Sequence, residues 1–181
     1  MFFPAKEITL KDGRAALFRS PSPDDGAAML EYLKTTSSQT PFLLRSPDEY
    51  DLTIEAEQRF LQNMLDSETN VMIVCTVDGK IAGNCQISRK SRQKNRHRGT
   101  IGIALVQEFW GLGIGTAMFE ELISVAKTWG LSQVELEVFE GNHRAIALYE
   151  KMGFETVAAI PNAIRLEDGT MLKEFTMVKV L

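Results

Sequence analysis

The segment FWGLGIGTAM, Phe109 to Met118, places glycine at 111, 113 and 115 and then runs into a helical pattern. It follows a strand-like run, GTIGIALV, at 99–106. A glycine turn between strand and helix exposes unpaired backbone N–H groups at the positive end of the helix dipole, which is an anion site. Glycine allows the tight turn and lets a ligand approach the main chain. A Walker A loop requires lysine after its last glycine; Thr116 stands there, so nucleoside-triphosphate hydrolysis is a poor fit. A dinucleotide fingerprint would put its third glycine at Thr116 or Met118, and the segment lies mid-chain, after hairpins. Taken alone, the turn also fits a helix packed closely on a sheet.

Downstream, Met118, Leu122, Val125, Ala126 and Trp129 form one apolar helical face, and Gly130 supplies a stop. VELEVF at 134–139 reads as a strand. NHRAIALYEKM at 142–152 reads as a helix opened by an Asn142 cap and ended by Gly153. The run 163–180 is a hairpin around Asp168-Gly169.

Upstream, two short strands flank the Lys11-Asp12-Gly13 turn, and PDDGAAMLEYLKTT at 23–36 is a helix with an acidic start. A second helix at 51–67 sets Leu52, Ala56, Phe60, Leu61, Met64 and Leu65 at helical spacing. VMIVCTV and KIAGNCQIS meet at Asp78-Gly79, a type I′ hairpin signal. That register sets Cys75 opposite Ala82 and Cys85 opposite Met72, so the thiols are expected on opposite faces of the sheet, buried and reduced. The element order predicts one mixed α/β (α+β) domain over residues 1–181, with helices on both faces of the sheet.

Composition agrees with a single globular core: 181 residues, 44% hydrophobic and 24% charged. The net charge of −4 argues against a dedicated nucleic-acid binder. No apolar run approaches the ~20 residues of a membrane helix, and the first residues lack the pattern of a signal peptide, so the expected setting is cytoplasmic, without a membrane partner. No Cys/His spacing suggests a metal site.

A second segment, LEVFEGNHRAIALYEKMGFE at 136–155, decides the reading of the glycine turn. Together the two segments resemble the GNAT N-acetyltransferase superfamily, nearest in motif pattern to its ribosomal-protein N-terminal acetyltransferase branch. The family's glycine motif, Gln/Arg-x-x-Gly-x-Gly/Ala, ends here in Gly113-Ile114-Gly115. Its later motif is matched by Asn142, Ala145, Leu148, Tyr149, Gly153 and Phe154. One position departs, since Trp110 stands where the family has Gln or Arg.

The resemblance implies a mostly antiparallel twisted sheet with a splayed parallel strand pair, acetyl-CoA as co-substrate, no metal, and an acceptor amine as partner. It implies that Gly111, Leu112, Gly113, Ile114, Gly115 and Thr116 hold the pyrophosphate of CoA through their N–H groups. Because CoA is not hydrolysed at its phosphates, no P-loop lysine is required. The preceding strand would carry a bulge and splay, freeing backbone groups of Ile103, Ala104 and Leu105 for the pantetheine arm. Asn142 would cap its helix, contact that arm, or do both.

Acetyl transfer needs a neutral amine, a stabilised carbonyl oxygen and a protonated leaving sulfur. By resemblance Glu137 is the base, with Glu135 the competing carboxylate and Glu140 nearer the next loop. Tyr149 occupies the position of the family's general acid. A packed aromatic with a bonded tip is its structural alternative. The basic run 89–98 reads as a solvated hairpin tip, without aromatics that would stack on bases. A lone His97 reads as structural. The acceptor-side stretches at 35–44 and 47–51 carry no motif, so the acceptor stays open, as does a homodimer. A non-catalytic CoA-binding sensor of the same fold is the alternative function.

Overall fold

The computed structural model describes residues 2–181. Its strands are β1 (Lys6–Thr9), β2 (Ala15–Arg19), β3 (Asn70–Val77), β4 (Lys80–Arg89), β5 (Arg98–Leu105), β6 (Gln133–Phe139), β7 (Glu155–Arg165) and β8 (Met171–Val180). Its α-helices are α1 (Gly26–Ser38), α2 (Ile54–Asp66), α3 (Ile114–Thr128) and α4 (His143–Lys151). The eight strands form one sheet in the order β1-β2-β3-β4-β5-β6-β8-β7. Every pairing is antiparallel except that of β5 with β6.

That one parallel pairing positions the site. β5 and β6 are joined only at Arg98–Thr100 against Gln133–Glu135. β4 follows β5 as far as Leu105, and β8 follows β6 to Phe139. Beyond Thr100 the two halves of the sheet therefore part. The splay implied by the resemblance is present, whereas the implied bulge is not: the β4–β5 register runs without a shift from Gly83–Leu105 to Arg89–Gly99. In place of a bulge, the Tyr32 hydroxyl enters the ladder. It accepts from the Asn84 N–H at 3.2 Å and donates toward the Ala104 carbonyl at 2.9 Å and Asn84 Oδ1 at 2.8 Å. One phenolic proton serves both acceptors, and burial drives its pKa well upward.

Helices cover both faces. On one side Gly115 of α3 approaches Ile103 and Leu105, and Phe119 of α3 meets Tyr149 of α4 with ring centroids 5.3 Å apart. On the other, Met29 and Leu33 of α1 and Ala56 and Phe60 of α2 line a cavity with Asn84, Gln86 and Gly102 of the sheet. The core centres on β3, β4 and α3: Ile73, Val74, Ile87, Met118, Phe119 and Leu122 are buried.

Two expectations are corrected. The Asp78-Gly79 turn has positive φ at both residues, as a type I′ turn requires, but the register shifts between Cys75 and Thr76. Thr76 pairs with Ile81 and Cys75 with Gly83, so Ala82 is the extra residue of a bulge. The slip puts Cys75 and Cys85 on the same face, both buried and unpaired, and burial raises both thiol pKa values. In α2 the inward face is rotated from its apolar stripe: Glu57 is buried, whereas Phe60 and, just before the helix, Leu52 are exposed. The reason is that those residues border the cavity on the α1–α2 side of the sheet.

Candidate active site

A cleft of about 370 Å³ opens where β5 and β6 part. The glycine turn forms one end. Gly111 and Gly113 have φ of 80° and 98°, a conformation costly for any residue with a Cβ. Gly113 is the N-cap of α3, and no side chain caps this end. The contrast is with α2, where Thr53 accepts from the Ala56 N–H, and α4, where Asn142 accepts from the Ala145 N–H at 3.3 Å. First-turn N–H groups have no partner within a helix, so those of Ile114, Gly115 and Thr116 remain for a ligand. Gly115 admits no larger residue freely, since a Cβ there would stand 3.0 Å from Leu148 of α4.

Basic groups surround this turn although none lies within it. The Lys11 N–H donates to the Leu112 carbonyl, and the Lys11 side chain passes beside Gly113 and lines the cleft. Arg144 lies over the Trp110 ring, 4.8 Å from its centroid. Lys151 Nζ is 3.4 Å from Thr116 Oγ1. Sequence reasoning missed Lys11 and Arg144, because Lys11 arrives from the β1–β2 turn about a hundred residues upstream. Trp110 itself donates its indole N–H to the Leu105 carbonyl at 2.8 Å.

The strand groups sort by direction. The Ala104 carbonyl points toward β4 and Tyr32. By alternation, the backbone groups of Ile103 and Leu105 point the other way, into the gap. With the Leu105 carbonyl taken by Trp110, the groups facing the cleft are the Ile103 N–H and carbonyl and the Leu105 N–H. Of the named cofactor-site residues, Ile103, Ala104, Leu105, Gly111, Gly113, Gly115, Thr116 and Asn142 line the cleft. Leu112 and Ile114 do not; the Ile114 side chain is buried in the core.

Glu137 and Tyr149 both line this cleft. Glu137 is exposed and makes no ion pair or hydrogen bond among the described residues. Glu135 is committed elsewhere: Arg98 donates to it, Lys90 Nζ lies 3.0 Å away, and Thr100 Oγ1 is 3.4 Å away. Burial would raise its pKa, but these partners outweigh burial and hold the carboxyl below its usual range. Glu140 pairs with Lys173 at 3.1 Å. The competition among the three carboxylates thus leaves Glu137 as the free one. The same contacts absorb Lys90 and Arg98 of the basic run, and Arg89 lies over Trp129, so half of its charges serve the fold.

Tyr149 is 8% exposed, packed against Phe119 and Phe154. Its hydroxyl has no protein partner among the described residues, and burial pushes its pKa up to about 12. A phenol that stays protonated and faces a cleft can serve as a proton donor.

A second cavity lies on the α1–α2 side of the sheet and shares Leu43, Ile101–Ala104 and Glu137 with the cleft. Leu43, Tyr50, Leu52, Phe60 and Met72 give it apolar walls. Its roof comes from the stretch after α1, whose Phe42 ring lies 3.6 Å from where a Cβ on Gly141 would stand. The apolar Phe42-Leu43-Leu44 run inside a polar loop was the available signal: Leu43 and Leu44 line this cavity, and Phe42 lines the cleft. Nothing in the sequence marked Glu57.

The sequence model of the "Acetyltransferase (GNAT) family" matches residues 31–154. An L-amino acid N-acetyltransferase from Escherichia coli is 24% identical over 139 residues, 74% of this chain and 85% of that one. A GNAT-family acetyltransferase structure from Streptococcus pneumoniae superposes with a TM-score of 0.85 at 29% identity, covering 92% of this chain and 99% of that one. An acetyltransferase from Salmonella typhimurium, solved with its cofactor acetyl-CoA, has a TM-score of 0.77 at 18% identity, covering 92% and 94%.

Proposed function

The chain belongs to the acetyltransferase (GNAT) family and is an N-acetyltransferase, and we propose that it transfers an acetyl group from acetyl-CoA directly to an acceptor amine. The observation that carries this reading is that the uncapped N-terminus of α3, the free edge of β5, Glu137 and Tyr149 all face one cleft.

Bound acetyl-CoA would supply the activated acetyl thioester. The N–H groups of Ile114, Gly115 and Thr116 would hold its pyrophosphate, with Lys11 and Arg144 adding positive charge. The exposed edge of β5 at Ile103 and Leu105 would pair with the pantetheine amides as a strand would, and the Asn142 side chain borders the same path. The free N–H groups of that edge are donors for the carbonyl oxygen as it gains charge.

Glu137 stands where the cleft and the second cavity meet, so it can take a proton from an amine entering from the cavity side. Tyr149, packed on the α3 side, can give its proton to the departing sulfur. Base and acid thus act from opposite faces of a sheet that has opened to let the two substrates meet. A cytoplasmic setting goes with this reading, and the two buried unpaired cysteines suit a reducing compartment.

The test is thiol release from acetyl-CoA by the purified protein across an amine panel, alongside CoA binding by calorimetry. Amine-dependent thiol release is the expected result. Tight CoA binding without turnover on any amine would overturn it in favour of a sensor.

A further inference from the structure

Glu57 stands out among the groups that the chemistry above leaves unused. It sits on the inward face of α2 and is 3% exposed, yet lines the second cavity. No hydrogen bond or ion pair reaches its carboxylate among the described residues. Burial raises its pKa, and Arg45 only partly offsets that. A carboxylate in such a place is costly unless a charged or hydrogen-bonding partner arrives.

We propose that the second cavity is the acceptor pocket and that Glu57 selects acceptors with a second protonated amine on an aliphatic arm, the chemistry of aliphatic diamines and polyamines. This rests on the transfer reading above. The charged groups that face the cavity are Glu57, Glu137 and Arg45. Arg45 is at the exposed rim of the cavity, over the Tyr50 ring at 5.6 Å. Two carboxylates, Glu57 and Glu137, against the one rim cation leave the cavity net anionic, and Leu43, Phe60 and Met72 add apolar wall. A diamine matches that order: one nitrogen at each carboxylate and methylenes against the walls.

At the inner end the ammonium gives one proton to Glu137, the neutral nitrogen forms the C–N bond, and the extra proton left on nitrogen passes to the Tyr149 phenolate once the sulfur has gone. The acetyl C–S bond breaks, and the sulfur leaves with the proton from Tyr149. The second ammonium stays on Glu57 and takes no part in the chemistry. Phe60 and Leu52, exposed despite their apolar character, then find their use as walls of the entrance.

The experiment compares 1,4-diaminobutane, 1,5-diaminopentane and spermidine with butylamine, pentylamine and a set of L-amino acids, in the wild type and in Glu57→Gln. In the wild type kcat/KM for the diamines should exceed that for the matched monoamines by at least tenfold. In Glu57→Gln that ratio should collapse toward one, with retained CoA binding showing that the variant is folded. An unchanged ratio in the variant, or a wild-type preference for amino acids, whose carboxylate would meet Arg45, overturns the proposal while leaving acetyl transfer standing. Absence of transfer to every amine would sink the transfer reading, and the pocket assignment with it.

Discussion

The indole N–H of Trp110 donates to the carbonyl of Leu105 at 2.8 Å, filling one of the positions that the parting of β5 and β6 leaves open. The same ring carries Arg144 on its face. At the position where its family has Gln or Arg, this chain thus uses an aromatic to seat a cation at the cleft. Trp110→Phe keeps a ring but leaves the Leu105 carbonyl without its donor, a loss of about 1–3 kcal/mol. We expect CoA affinity to fall roughly tenfold. Calorimetric titration would show it, and an unchanged Kd would refute the role.

Glu137→Gln and Tyr149→Phe should each lower kcat by about a hundredfold or more while leaving the Kd for CoA nearly unchanged, since neither group is assigned to the cofactor's phosphates. Burial holds the Tyr149 phenol at about 12, so it stays protonated across ordinary assay pH. The pH–rate profile should therefore show no descending limb from this group up to pH 10. A limb that disappears in Tyr149→Phe would contradict the assignment.

Gly113→Ala forces a Cβ into a φ of 98° at the cap of α3. The strain costs about 1–2 kcal/mol. Thermal denaturation should show a lower Tm, and CoA binding should weaken with it because the turn must shift. Gly169→Ala, also at positive φ but in the β7–β8 turn, which does not line the cleft, should lower Tm without changing CoA affinity.

Asp25 and Glu135 both have carboxyl pKa values held below the usual range, because Arg19 in the first case and Arg98 with Lys90 in the second outweigh burial. A depressed folded-state pKa gives stability that is present above the unfolded value and lost as pH falls through the folded one. Tm should therefore drop on acidification below about pH 4. Glu135→Gln should flatten part of that slope and cost ~1 kcal/mol at neutral pH, because Lys90 and Arg98 are partly exposed and can be resolvated.

The sites of mismatch between pattern and structure are instructive. Phe60 belongs to the apolar helical spacing of α2, and the structure sets it at a cavity rim while burying Glu57. Hydrophobic periodicity reports which face is apolar, not whether that face meets a core or a ligand pocket. The cysteine register failed for a different reason. A bulge at Ala82 adds one residue to β4, and with a period of two that moves every side chain beyond it to the other face. The bulge expected in β5 proved to be a regular register with a tyrosine hydroxyl drawn into it, from a helix about seventy residues away.

What the sequence determined by itself was local: glycines that must adopt positive φ before a helix, an asparagine cap, hairpin turns, and the two motifs whose spacing identifies the family. Each is written in neighbouring residues because each depends on dihedrals and hydrogen bonds within a turn or two. Tertiary structure alone decided which carboxylate stays free, since Glu135 and Glu137 share a face but only the first is buried and reached by Arg98, Lys90 and Thr100. It also brought Lys11 to a loop that has no lysine, and set an unpartnered Glu57 across a cavity from Glu137. Those relationships are made by strand order and by the parting of two strands, so no window along the chain contains them.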